Sequence, residues 1–137
     1  MTAGHRTLPH TADLALEAWA PTRADCIAEA VRALVESFAD VRAAIPNQTV
    51  SLSYEETTDE DLLVRVLNDV IYQAEVHGRV PVDISVAGPA ASVDVRFAAA
   101  PLAGVDITGP LPKAVTLHEL RFACTDGQWR CHAIVDI

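Results

Sequence analysis

The residues of this chain that could do chemistry cluster near its two ends. The stretch "LPHTADLALEA", residues 8–18, sets His10 and Asp13 three positions apart, directly before an alternating apolar run. The closing run "GQWRCHAIVDI" carries His132 and Asp136 and finishes on the terminal carboxylate of Ile137. Upstream of it, "PLPKAVTLHELRF" adds Lys113, Thr116 and His118. Carboxylates from separate strands, together with a chain-end carboxylate and carbonyls, form the hard-oxygen donor set that calcium and magnesium prefer to sulfur or imidazole. Each residue also has a plainer role. Asp13 can bond the amides of its own turn, and Asp136 can sit solvated at the chain end. His10 after Pro9 fits a loop, His118 a half-buried strand position, and Lys113 a solvated strand entry. Residue type and spacing leave both readings open. No catalytic kit is complete: there is no Gly-rich phosphate loop, no HExxH, no GxSxG, and no Cys–His pair with an orienting group.

Whether these groups meet depends on the elements that carry them. "DLALEAW" alternates with a period of two, the mark of a half-buried strand. "PTRADCIAEAVRALVESFAD" follows, with Thr22 as N-cap and Asp25 in the capping-box position. Ile27, Ala30, Val31, Leu34, Val35 and Phe38 share one helical face, so a helix is expected over Arg23–Ala39. "TVSLSYEE" alternates again. "TTDEDLLVRVLNDVIYQAEVHGR" reads as the second helix, with Thr58 as cap, an acidic first turn suited to the helix dipole, and Gly78 as its stop. "VPVDISVAG" and "ASVDVRFAA" form a hairpin across a Gly–Pro turn. "APLAGVDITGPLP" is a loop with a brief strand at Val105–Ile107. Two alternating runs then flank "TDGQ", and Asp–Gly is the strongest short hairpin signal.

One parsing makes this order regular. Residues 48–98 give strand–helix–strand–strand, and what remains, residues 8–42 with 113–137, gives the same sequence of elements again. The expected fold is therefore α+β: a strand–helix–strand–strand module with a second copy inserted in it, an antiparallel-rich sheet and two main helices. The first and last strands of the outer module would be neighbours, which would bring Asp13 close to Asp136. On the last strand His132 and Asp136 share a face, ~13 Å apart at strand rise.

Composition narrows the function. The chain has 137 residues, half of them apolar, enough for one well-filled core. Aromatics are scarce, so Val, Leu, Ile and Ala must build it. The net charge is −9, the basic residues are few and scattered, and Lys113 is the single lysine. Tight direct binding of RNA or DNA is not expected of such a chain, although an acidic protein can serve a nucleic-acid pathway through a basic protein partner. Cys26, Cys124 and Cys131 form no CxxC pair, which disfavours a disulfide framework or a zinc site; Cys124 and Cys131 fall where they could be cross-strand neighbours. "MTAGHRTLPH" has neither the basic start nor the apolar run of a signal peptide, and His5 falls in what reads as a loose terminus. No apolar stretch approaches the ~20 residues that span a membrane. The expectation is a soluble cytoplasmic protein.

"HTADLALEAWAPTRADCIAEAVRALVESFADV" resembles the opening of the archease family, in which a His–Thr–Ala–Asp motif precedes a strand and an amphipathic helix. "DLLVRVLNDVIYQAE" resembles the second helix of that family, with its Leu–Asn pair, and "KAVTLHELRF" with "GQWRCHAIVDI" resembles its closing Lys–Ala–x–Thr–x–His run and terminal Asp–Ile. The resemblance spans nearly the whole chain. It implies a strand–helix–strand–strand module with an inserted copy, and a non-catalytic accessory role: activation of an RtcB-type RNA ligase, which joins 3′-phosphate to 5′-hydroxyl RNA ends in tRNA splicing and RNA repair. Promotion of the ligase's guanylylation by GTP, and of its turnover, is the implied action. The same resemblance gives Asp13, Asp136 and Ile137 as a divalent-cation site, calcium first with magnesium or manganese as alternatives, and Lys113 as the residue tied to partner activation. His10 and His118 would support the site. Leu117 stands where the family usually has an aromatic, and the Pro-rich loop before Lys113 departs from many members. A general chaperone or protein-interaction module, not tied to an RNA ligase, is the competing function.

Overall fold

The computed structural model describes residues 2–10, 13–88 and 92–137, with backbone alone for Pro9 and His10. In chain order the elements are β1 (Gly4–His10), β2 (Asp13–Ala20), α1 (Arg23–Glu36), β3 (Ala39–Asp40), β4 (Gln48–Glu55), α2 (Asp59–Glu75), β5 (Arg79–Ala87), β6 (Ser92–Pro101), β7 (Asp106–Ile107), β8 (Ala114–Val115), β9 (Arg121–Thr125) and β10 (Gln128–Asp136). A single 3₁₀ turn, Leu102–Gly104, precedes β7.

Both helices start where their caps dictate. Thr22 accepts from the Asp25 amide at 3.1 Å, and Thr58 accepts from the Asp61 amide at 3.1 Å, each satisfying a backbone donor that the first helical turn leaves unpaired. The first helix ends at Glu36 rather than Ala39, because Ser37 turns its hydroxyl back to the Leu34 carbonyl (2.6 Å) and the chain leaves the helix to pair β3 with β7. Phe38, freed from the helix, is fully buried at that corner.

The strands form two main antiparallel sheets. One runs β1–β2–β10–β8, with β9 also paired to β10; the other runs β4–β6–β5. Thus β4, α2, β5 and β6 make one strand–helix–strand–strand motif, inserted between the halves of another made by β2, α1, β9 and β10. Helix α1 packs on β2 and also reaches β5, while α2 packs on β4 and β5 and also touches β8 and β9. The motifs therefore share one core, with Leu16, Ile27, Leu34, Leu63, Leu67, Phe97 and Ala133 all sealed from solvent. An ion pair closes the seam: Arg23 Nη1 at the start of α1 meets Asp59 Oδ1 at the start of α2 at 2.8 Å. The β9–β10 turn puts Asp126 and Gly127 at φ 52° and 76°, the two left-handed positions of a type I′ hairpin. Gly88 lies at the β5–β6 connection; the remainder of the expected Gly–Pro turn, residues 89–91, lies outside the described residues.

Further expectations are corrected. The N-terminal segment is a seven-residue strand, hydrogen-bonded along β2 from Gly4 opposite Trp19 to His10 opposite Asp13. It is a polar edge strand, so it lacks the apolar alternation that betrays a half-buried one. The run from Lys113 to Phe122 is broken: Ala114–Val115 and Arg121–Thr125 are separate strands, with a turn between them in which Glu119 takes φ 54°. Finally, Cys124 faces Trp129 and Cys131 faces Phe122 across the hairpin, so the two cysteines are not register partners. Cys131 instead lies beside Cys26 of α1. The hydrogen bond to Cys26, together with burial, pushes its thiol pKa far up, and the pair behaves as buried packing.

His5 is fastened rather than loose. It is half-buried, with Nδ1 on Glu29 Oε2 at 2.6 Å and Nε2 on Glu36 Oε2, clamping β1 to α1. Burial alone would lower its pKa, but the bonds and charges of Glu29 and Glu36 outweigh that, and the net pKa is raised above 6.5. The stabilisation is therefore full below the unfolded-chain value and is lost as pH climbs through the higher folded value. His5→Gln is expected to lower Tm at about pH 6 and to leave it nearly equal to that of the unmodified protein at about pH 9. Thermal melts of both proteins across this range check it; a Tm gap that does not change with pH would refute the clamp.

Candidate functional site

The β2–β10 ladder runs from Ala20 opposite Trp129 to Asp13 opposite Asp136. Directly opposed residues share a sheet face with Cα atoms ~4.5–5.5 Å apart. The first and last strands thus set two aspartates side by side at one end of the sheet, with Ile137 directly after Asp136. Like charges so placed are destabilising on their own, and the arrangement is suited to a cation. Among the described residues no group of three or more His, Cys, Asp and Glu side chains gathers as a metal site; the donors on offer here are two aspartates and chain-end oxygens.

Lys113 reaches the same place from the other side of β10. Its N–H donates to the Asp136 carbonyl at 2.8 Å, and Ala114 pairs with Asp136 across the β8–β10 bridge. Asp13 of β2 and Ala114 of β8 therefore flank Asp136, with Lys113 directly before β8. Pro112, just before, is buried, whereas the Lys113 side chain is exposed. The short β8 is held by three contacts: the Lys113 bond, a Thr116 N–H bond to the Ile134 carbonyl at 2.8 Å, and a Val115 N–H bond to Asn68 Oδ1 at 3.0 Å.

The other candidates divide. His10 is the register partner of Asp13, but its side chain lies outside the described residues, as do Thr11 and Ala12 of the motif. His118 lies on the turn after β8, not on a strand, with a side chain 74% exposed; its amide bonds Thr116 Oγ1 and its ring lies 3.9 Å from Glu119 Oε1. Its described contacts are with that turn and not with the aspartates. Leu117 beside it is 72% exposed. His132 shares the face of Asp136 farther along β10, where its Nδ1 donates to the Glu119 carbonyl at 2.9 Å.

Asn68, of the Leu–Asn pair in the second helix, is a positioning residue whose partner the sequence does not disclose. It lies on α2 between buried Leu67 and buried Val70 and Ile71, and its side-chain oxygen is spent on β8 rather than on its own helix. A short amide on the flank of an apolar helical stripe was the available signal.

A model of the Archease protein family matches residues 5–137. The chain belongs to the archease family. It is 44% identical over 136 residues to the probable protein archease of Mycobacterium tuberculosis, covering 99% of this chain and 76% of that protein. It is 29% identical to protein archease of Methanopyrus kandleri, over 95% of this chain and 96% of the other. Two solved structures share the fold. An archease of Thermotoga maritima, described as a possible chaperone, superposes with a TM-score of 0.68 at 23% identity, covering 95% of this chain and 94% of that one. A protein of Methanobacterium thermoautotrophicum superposes with a TM-score of 0.73 at 17% identity, covering 98% and 99%. The archease fold is thus the setting of the Asp13–Asp136 pair. No helix among the described residues is long and apolar enough to cross a membrane.

The Asn68 contact carries its own prediction. Asn68→Leu leaves the amide of buried Val115 without its acceptor, at a cost of about 1–3 kcal/mol. The urea midpoint should fall, and hydrogen exchange at the Val115 amide should accelerate well beyond exchange in the centre of β10. Unchanged Val115 protection would remove Asn68 from the account.

Proposed function

We propose that this protein activates an RtcB-type 3′-phosphate RNA ligase, promoting its guanylylation and turnover in tRNA splicing and RNA repair, and catalyses no reaction alone. The observation that carries the reading is the Asp13–Asp136 pair, with Lys113 bonded to the same strand end, in a chain of the archease family. Asp13, Asp136 and the terminal carboxylate of Ile137 would hold a divalent cation, calcium in first place. Their all-oxygen chemistry fits such an ion, and the opposed carboxylates have a reason to take one. Bound there, the cation would supply positive charge against a nucleotide's phosphates.

The chain's own residues do the remainder. The β2–β10 ladder sets the spacing of the carboxylates. The bond from Lys113 N to Asp136 O fixes the base of the lysine, leaving an exposed, compact ammonium that can reach into a partner's nucleotide pocket and offset triphosphate charge as it develops. With an overall charge of −9, association with a protein surface is favoured over a hold on RNA along its backbone.

The test uses purified cognate ligase, GTP and substoichiometric amounts of this protein, reading guanylylated ligase and joined RNA. Asp13→Ala and Asp136→Ala should each lose most of the stimulation while keeping the far-UV spectrum, and a chelator should mimic them. Lys113→Ala should lose stimulation without changing cation binding. Full stimulation by both aspartate variants refutes the cation site; absent stimulation by the unmodified protein favours a general chaperone or interaction module.

A further inference from the structure

The solvent face of the large sheet is read row by row from its registers. One row holds Arg6, Glu17, His132 and Arg121; the next holds Gly4, Trp19, Arg130 and Ala123. Arginines that lie apart in the sequence therefore converge. Arg121 and Arg130 line a groove of about 330 Å³ with Glu17, Trp19, Thr125 and His132. It lies along the same face as the Asp13–Asp136 pair, four residues and more from it on either strand, ~13 Å or farther at strand rise.

Among the described residues, the arginines outside this groove other than Arg96 are paired; Arg79 meets the Gln73 side chain. Arg6, Arg23, Arg32, Arg42 and Arg65 each reach a carboxylate within 3.0 Å. Arg121 and Arg130, both exposed, make no side-chain hydrogen bond or ion pair among the described residues, in a chain with 19 acidic side chains against 10 basic ones. The groove's own carboxylate does not neutralise them: Glu17 is taken by Arg6, whose Nε and Nη2 lie 2.8 and 2.7 Å from its Oε2. Arg6 also lies over the Trp19 ring, 6.0 Å from its centroid, and that ring fills the space above Gly4, where even a Cβ would come within 2.6 Å. The wall is thus built, and two guanidinium groups are left over. His132 adds a defined atom, because a carbonyl can only accept. Its bond to Glu119 puts the proton on Nδ1, so Nε2 of the neutral ring is an acceptor and donates to an anion only when the ring is protonated.

We infer that this groove is an anion site for a terminal phosphate, a phosphomonoester held by Arg121 and Arg130 with the Thr125 hydroxyl at its rim. One arginine fork satisfies the two oxygens of a carboxylate; two forks and a hydroxyl match the three terminal oxygens of a phosphomonoester. The size of the groove suits one phosphate and its attached sugar rather than a length of chain. A single contacted phosphate releases few counterions, so the site is compatible with an acidic protein that does not track along RNA. This inference does not rest on ligase activation or on the aspartate pair.

The test titrates the full-length protein with inorganic pyrophosphate, with a nucleoside 5′-monophosphate, and with a short oligoribonucleotide ending in a 3′-phosphate or a 3′-hydroxyl. Arginine Nε–Hε resonances report binding. Saturable shifts at Arg121 and Arg130 are expected, weakened about tenfold or more in the R121Q/R130Q double variant whose thermal melt confirms folding. Asp13→Asn should leave them unchanged, which separates this site from the carboxylate pair. Tighter binding of the mononucleotide identifies a soluble nucleotide as the source; tighter binding of the 3′-phosphate oligonucleotide over its 3′-hydroxyl form identifies an RNA end. No saturable shift, or equal binding by the double variant, would overturn the phosphate site.

Discussion

The antiparallel pairing of β2 with β10 is the constraint from which the rest follows. It joins the second strand of the chain to the last, eight register pairs long, and so closes a loop of more than a hundred residues. Everything between those strands must fold back within that closure, and the inserted β4–α2–β5–β6 unit does so by sharing its core with α1. The loop-closure cost grows only slowly with length, while the ladder buries Leu16, Ala18, Cys131 and Ala133 on its inner side. The same pairing fixes the chemistry. Because register partners share a face, a ladder that puts Ala18 opposite Cys131 must also put Asp13 opposite Asp136. A slip of one residue would turn these groups to the other face.

Around that ladder, polar contacts at the seams do the aligning. Arg23 ties the start of α1 to the start of α2, His5 ties the edge strand β1 to α1, and Asn68 ties α2 to β8. The third contact bears most directly on the proposed function. Strand β8 is two residues long and cannot hold itself; an amide from the inserted helix and two bonds to β10 set where Lys113 emerges. The inserted unit therefore acts on the site without contributing a residue to its donors.

Much of this was legible in the sequence, for physical reasons that differ by element. The helices announced themselves through Thr22 and Thr58 and through apolar stripes, because capping and burial are local and periodic. The β9–β10 hairpin was legible because only Asp–Gly-type pairs take two left-handed positions cheaply. The neighbourhood of Asp13 and Asp136 followed from element order alone, without any contact being visible. What escaped was non-local or polar. The edge strand "GHRTLPH" has no apolar face to alternate. The break at Glu119 depends on one left-handed residue of a type that carries no turn signal. Cys131 found Cys26 rather than Cys124 because the hairpin register, not sequence proximity, decides neighbours. Basic residues that are scattered along the chain share one sheet face because Arg121 and Arg130 occupy the paired strands β9 and β10, with Arg6 two strands away on β1.

The central claim is that Asp13 and Asp136 act as one cation site. The most direct measurement follows the side-chain carboxyl ¹³C resonances of both residues during a calcium titration of the protein alone. The two are expected to shift together, with one common midpoint, while the carboxyl of Asp94 on the other sheet does not move. Separate midpoints, or a response from neither aspartate, would contradict it.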